Sequence, residues 1–278
     1  MPPSVVNAGE RETVSFTSAD EQKTPLSGLL VRPESEGPHS AVIMLHGCSG
    51  MLTRSGKLGK RPAFWSRWLA ARGYLVLMAD SFTPRGLGSI CKVKKRPVKP
   101  DRERPYDAYG ALKFLLARPD VRPDQIFLMG WSNGAMSMLW TVKADAPARP
   151  DDLPHDFRAA IGFYPGCIKL SQIDYTTKIP VLLQLGEADD WTSASPCLQL
   201  ITDASLRGSD MRADVYPGAY HNFDHPTSKV KVITTRNSVY KSGQKEVHVG
   251  SNPKARAAAI ANVAAFLDSF AHPGNIQN

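Results

Sequence analysis

The sequence predicts a three-layer α/β sandwich on a mostly parallel sheet of about eight strands, and three observations carry that expectation. Short apolar runs recur and end at Gly, Asp or Ser: AVIMLHG (41–47), YLVLMAD (74–80), IFLMGWS (126–132), AAIGFYPG (159–166) and VLLQLG (181–186). Their hydrophobicity is continuous rather than alternating, which requires burial on both faces and marks parallel strands. Helical patterns lie between them, so right-handed crossovers cover the sheet on both sides.

Taken in order, residues 12–18 and 28–33 are β-rich and flank a polar turn, which reads as an antiparallel hairpin at one sheet edge. Strand 41–47 is followed by helix 61–73, strand 74–80 by helix 106–119, and strand 126–132 by helix 134–144. Strand 159–166 leads through a short loop to strand 181–186, leaving no room for a large cap. Helix 195–206, a last short strand within 213–224 and helix 253–271 complete the pattern. The long connections are 81–105 and 222–252, and both leave strand ends. No repeat or composition break divides the chain, so residues 1–278 are expected to form one domain.

Apolar content of 42% and charged content of 22% are those of a soluble globular protein. The net charge of +8 gathers partly in CKVKKRPVKPDRER (91–104), read as a Pro-interrupted surface loop. No zinc-finger spacing or aromatic RNA-binding motif accompanies it, so nucleic acid is not an expected partner. Cys48, Cys91, Cys167 and Cys197 are too scattered for a metal or redox motif; they permit two disulfides or four free thiols. The opening residues have no apolar core of a signal peptide, and no apolar stretch approaches the roughly 18 residues that cross a bilayer. The chain as given reads as soluble and cytoplasmic, or periplasmic or secreted if a signal segment has been removed.

In such a fold, functional groups collect at the carboxyl ends of the parallel strands. Beyond IFLM stand Gly130, Trp131, Ser132, Asn133 and Gly134, a G-x-S-x-G pattern between strand and helix. A hydroxyl becomes a nucleophile when a base takes its proton, and a sharp turn flanked by glycines exposes it for attack. Beyond VLLQLG come Asp189 and Asp190, with Asp189 preferred and Asp190 read as capping the following turn or binding solvent. Beyond the last strand comes His221. The order Ser132, Asp189, His221 is that of an α/β-hydrolase triad. The backbone N–H groups of Asn133 and of Cys48, in HGCSG (46–50), are the expected oxyanion donors. His46 is read as ordering its loop. No metal or organic cofactor is required.

The stretches VIMLHGCSG, GYLVLMADSFTPRG, DAYGALKFL, LMGWSNGAM, GFYPGC, LGEADDWT and YHNFD resemble the dienelactone hydrolase family of α/β-hydrolases. The resemblance implies the α/β-hydrolase fold and a small-molecule ester or lactone substrate. The namesake enzymes carry cysteine at the elbow where this chain has Ser132, which favours a general carboxylic ester or lactone hydrolase. The resemblance also suggests that Arg85 pairs with a substrate carboxylate. Trp131, Tyr164, Trp191 and Phe223 stand near strand ends as candidate pocket walls. Cys167 with Cys197, and Cys48 with Cys91, could be bridged, although connectivity stays open. Amide cleavage or acyl transfer by the same triad, and a non-catalytic module binding an acidic partner through 91–104, are the alternatives. A monomer or homodimer is expected, with no membrane partner.

Overall fold

The protein is described by a computed structural model over residues 11–235 and 246–270. Eight strands form one sheet in the order β1-β2-β4-β3-β5-β6-β7-β8. Strands β1 (Arg11–Thr17) and β2 (Pro25–Val31) are the antiparallel edge hairpin, and β2 also runs antiparallel to β4 (Leu75–Asp80). From β4 through β3 (His39–Leu45), β5 (Val121–Trp131), β6 (Ala160–Phe163), β7 (Val181–Gly186) and β8 (Met211–Tyr216), every pairing is parallel.

The continuous apolar runs have a direct structural reason. In β3, Ala41, Ile43 and Leu45 point into one core while Val42 and Met44 point into the other. The first core is closed by α2 (Glu103–Leu116), α3 (Asn133–Thr141) and α4 (Ser195–Leu206), through Tyr109, Leu112, Leu139 and Leu200. The second is closed by α1 (Lys60–Ala70) and α5 (Pro253–Asp268), through Trp65, Leu69, Val263 and Phe266. Both faces are therefore dry. No helix among the described residues is long and apolar enough to cross a membrane.

Two elements depart from the sequence reading. The connection 222–252 contains a separate antiparallel pair, β9 (Lys231–Thr234) with β10 (Glu246–Val249). Its four-residue strands are too short and polar to stand out by pattern. The basic run 91–104 is not wholly a solvated loop. Val98 is buried with Ile90, Phe82 and Trp191 against Val247 and Val249, and Arg104 is fully buried in the first turn of α2. The two long connections thus pack on each other beside the sheet.

Strand order reverses direction around β3, since β4 lies on one side of it and β5 on the other. A crevice opens at the carboxyl ends of β3 and β5, the place where open α/β sheets receive ligands.

Candidate active site

Ser132 follows β5 directly, with φ 51° and ψ −115°, a left-handed conformation that a non-glycine residue adopts only when its surroundings enforce it. The enforcement comes from close backbone approach. A Cβ on Gly134 would stand 2.1 Å from Leu45 O of β3, and one on Gly130 would stand 2.4 Å from Gly134 O. The two glycines thus let helix α3 start against β3 and β5. The Ser132 N–H donates to Phe163 O at 2.9 Å, and Ser132 O accepts from the Met136 N–H at 2.9 Å.

His221 comes from the loop after β8 and is 1% exposed. Its Nε2 lies 3.0 Å from Ser132 Oγ and its Nδ1 2.8 Å from Asp189 Oδ2. The ring is held between Tyr164 and Trp191, with centroids at 4.5 and 4.8 Å. Its backbone carbonyl accepts from the Gly250 N–H at 2.9 Å, so the end of β10 anchors the loop. Asp189, beyond β7, is also buried, and its Oδ1 accepts from the N–H groups of Trp191 at 2.9 Å and Thr192 at 2.8 Å. These two donors fix the direction of the carboxylate. Ser132, His221 and Asp189, far apart in sequence, thus form one hydrogen-bonded chain at one rim of the sheet.

Above Ser132 lies a cleft of about 700 Å³, bordered by Cys48, Trp131, Trp191 and His221, among others. Asn133 opens α3, where the backbone N–H has no acceptor within its own helix. Its side chain is 1% exposed and accepts at Oδ1 from Arg104 Nη1 at 2.7 Å. Cys48 is disulfide-bonded to Cys91, and Cys167 to Cys197.

Three of the expected pocket residues do not border this cleft. Arg85 instead makes a two-pronged ion pair with the fully buried Asp107 of α2, at 2.9 and 2.8 Å, and donates to Ser81 O at 2.7 Å. A buried carboxylate demands a counter-charge, and Arg85 provides it in place of meeting substrate. Tyr164 is fully buried with its hydroxyl donating to Asp224 at 2.5 Å, and Phe223 packs in the core against Tyr164 and Tyr216. Trp131 borders the cleft but is 3% exposed, its indole N–H donating to Asp224 at 2.8 Å.

Other participants escaped the sequence reading. Thr192 Oγ1 lies 3.0 Å from each of Asp189 Oδ2, His221 Nδ1 and Tyr164 O, and its single proton serves one acceptor at a time. The buried Asp224 accepts from the indoles of Trp65 and Trp131 and from Tyr164, and Arg61 Nε stands 3.2 Å away as its counter-ion. Asp190 caps no turn by itself; it accepts from the His248 N–H at 2.8 Å and meets His248 Nδ1 at 2.7 Å, tying β10 to the acid loop. The sequence signals existed, since Thr192 ends LGEADDWT and Asp224 ends YHNFD, but neither carries its partner's address.

His46 lies under the cleft. Its Nδ1 meets Gly47 O at 2.9 Å and its Nε2 accepts from the Ser81 N–H at 3.2 Å, which sets the tautomer. Burial, reinforced by the nearby Arg104 charge, pushes its pKa down to about 3. Asp80 Oδ1 is 3.7 Å away, but that oxygen already accepts from the N–H groups of Phe82 and Thr83 and does not reverse the effect. His46 is therefore a neutral brace between the β3 and β4 loops. Burial also lowers the Arg104 pKa, to about 10, leaving it a cation at neutral pH.

The strand order, the strained serine at the end of β5 and the crevice beside it define the α/β-hydrolase class. Within it, the chain belongs to the dienelactone hydrolase family, whose model matches residues 26–271. Among curated proteins, esterase EstD of Thermotoga maritima is 30% identical over 147 residues, 49% of this chain and 34% of that one. The Bacillus subtilis (strain 168) protein YtaP is 30% identical over 149 residues, 48% of each chain. The chain thus matches half or less of the length of these relatives. A thermophilic esterase of Thermogutta terrifontis, solved with propionate bound, superposes with a TM-score of 0.63 at 17% identity, covering 99% of both chains. A structure of Thermogutta terrifontis esterase 2 phosphorylated by paraoxon gives a TM-score of 0.65 at 16% identity, covering 99% of this chain and 98% of that one. At these identities the likeness establishes the fold.

Proposed function

We propose that the protein is a serine hydrolase of carboxylic esters and lactones, with Ser132 in the place of the family's cysteine. The observation that carries this reading is the continuous chain from Ser132 Oγ through His221 to Asp189, at 3.0 and 2.8 Å, on a strained elbow. Neutral His221 accepts the Ser132 proton as the oxygen attacks the carbonyl carbon. The N–H groups of Cys48 and Asn133 receive the developing oxyanion. Asp189 orients the ring and offsets the charge of the imidazolium, which returns its proton to the leaving alkoxide. Water, deprotonated by the same His221, then releases the acid from the acyl-enzyme. Trp131 and Trp191 serve as the aromatic wall for the acyl or alcohol part. The propionate-bound esterase and the paraoxon-modified esterase among the structural neighbours support an ester substrate and a nucleophile open to organophosphates.

All three triad side chains come from one chain, which supports a monomer as an active form and a single catalytic domain. The two disulfides support work in an oxidising compartment.

Ser132→Ala tests the reading. The variant is expected to lose p-nitrophenyl acetate and butyrate turnover and fluorophosphonate labelling, while its circular dichroism spectrum and melting curve stay those of the parent. Both activities persisting in the purified variant would refute the assignment.

A further inference from the structure

The cleft above Ser132 is lined by charge of one sign. Arg54, Lys60, Lys92 and Lys231 border it, and no Asp or Glu does among the described residues. The nearby carboxylates are engaged elsewhere: Asp189 with His221 and the Thr192 backbone, Asp224 with Arg61 and two indoles, Asp190 with His248. Arg61 also borders the cleft, but Asp224 offsets its charge. None of the four cations has an ion-pair partner among the described residues, although Lys60 Nζ donates to Thr227 Oγ1 at 3.3 Å. Elsewhere on the surface Arg72, Lys113, Lys169 and Arg207 each face a carboxylate at 2.7–2.9 Å.

A concave site walled by unpaired cations focuses a positive potential and draws anions toward it. The four come from three separate segments: the loop before α1 with its first residue, the connection after β4, and strand β9. One substrate carboxylate would meet one of them and leave the others facing water. Charges distributed along an extended molecule would engage them together.

Resting on the hydrolase reading above, we infer that the natural substrate is an ester whose non-reacting part is extended and bears several negative charges, as in an O-acylated acidic oligosaccharide. The acyl group enters toward Ser132, and the anionic chain lies along the rim between Lys60, Lys92 and Lys231. Binding is long-range and screened by salt, and it discriminates against neutral chains of equal length.

The test uses the full chain with tetragalacturonate as anionic probe and cellotetraose as its neutral counterpart. Each is titrated calorimetrically and as an inhibitor of p-nitrophenyl acetate turnover. Tetragalacturonate is expected to bind and compete at least about tenfold more tightly at low salt, the gap closing as salt rises. The combined variant Lys60→Gln, Lys92→Gln, Lys231→Gln should lose most of that difference. Because the readout is a ratio between two probes on one protein sample, a partly unfolded fraction does not alter it. Equal affinity for the two probes, or a preference that survives the triple substitution, overturns the inference while ester turnover leaves the hydrolase reading intact. Anionic preference without any ester turnover refutes the hydrolase reading instead.

Discussion

His46 illustrates how one side chain links structure to pH. It is buried, neutral and held by two backbone groups, and its pKa stands near 3 where a free histidine has 6.5. The unfolded chain binds a proton at this residue below about pH 6.5 and the folded chain does not until about pH 3. Its contribution to stability is therefore fully present above pH 6.5 and is lost as pH falls toward 3. The slope approaches about 1.4 kcal/mol per pH unit for one proton. Urea unfolding of the parent at pH 7, 6, 5 and 4 should thus fall more steeply than that of His46→Gln. Coincident slopes would mean that the histidine titrates normally in the folded state.

At the scale of elements, Asp224 joins the loop after β8 to α1 through Arg61 and Trp65, to the end of β5 through Trp131, and to the residue after β6 through Tyr164. Asp224→Asn keeps the size of the side chain but removes the charge opposite Arg61. With the amide oxygen kept toward the two indoles, it also turns an NH2 group toward Arg61 Nε and the Tyr164 hydroxyl, which lose the acceptor oxygen they face. Breaking a buried pair in this way costs about 3–5 kcal/mol, and an extrapolated unfolding free energy reads it directly. A loss below about 1 kcal/mol would indicate that Arg61 turns into the cleft and is hydrated there. The same carboxylate marks what the sequence could disclose about elements. Parallel strands announce themselves because burial on both faces forces an unbroken apolar run, and the residue after such a run must lie at the rim. Ser132 and Asp189 were legible at the rim for that reason, whereas β8 before His221 is a half-exposed edge strand, and His221 was legible there from its position after the last strand. The partners of Arg85 and Asp224 were not, because ion pairing depends on which loops meet across the sheet. Asp224 and Arg61 are 163 positions apart, and no local pattern records their contact.

Across the whole molecule, the two disulfides occupy unequal places. Cys167–Cys197 ties the segment after β6 to the first turn of α4, and neither residue borders the cleft above Ser132. Cys48–Cys91 ties the loop after β3 to the long connection after β4, and both residues border that cleft. The Cys48 carbonyl also accepts from the Ile90 N–H at 2.8 Å, so the bridge and the hydrogen bond fix one loop against the other. Both bridges restrain the unfolded chain, and removing either should cost about 2–5 kcal/mol of stability. Only Cys48–Cys91 also holds a backbone N–H proposed to meet the oxyanion, whose loss of alignment costs rate rather than ground-state affinity. The paired replacement Cys48→Ser with Cys91→Ser should therefore lower kcat for p-nitrophenyl acetate by about tenfold or more with little change in KM. Cys167→Ser with Cys197→Ser should lower the melting temperature by a similar amount and leave kcat near the parent value. Equal kcat in the two paired variants at a temperature where both are folded would show that the β3 loop keeps its alignment without the bridge. The donor role of Cys48 would then depend on its hydrogen-bonded turn alone.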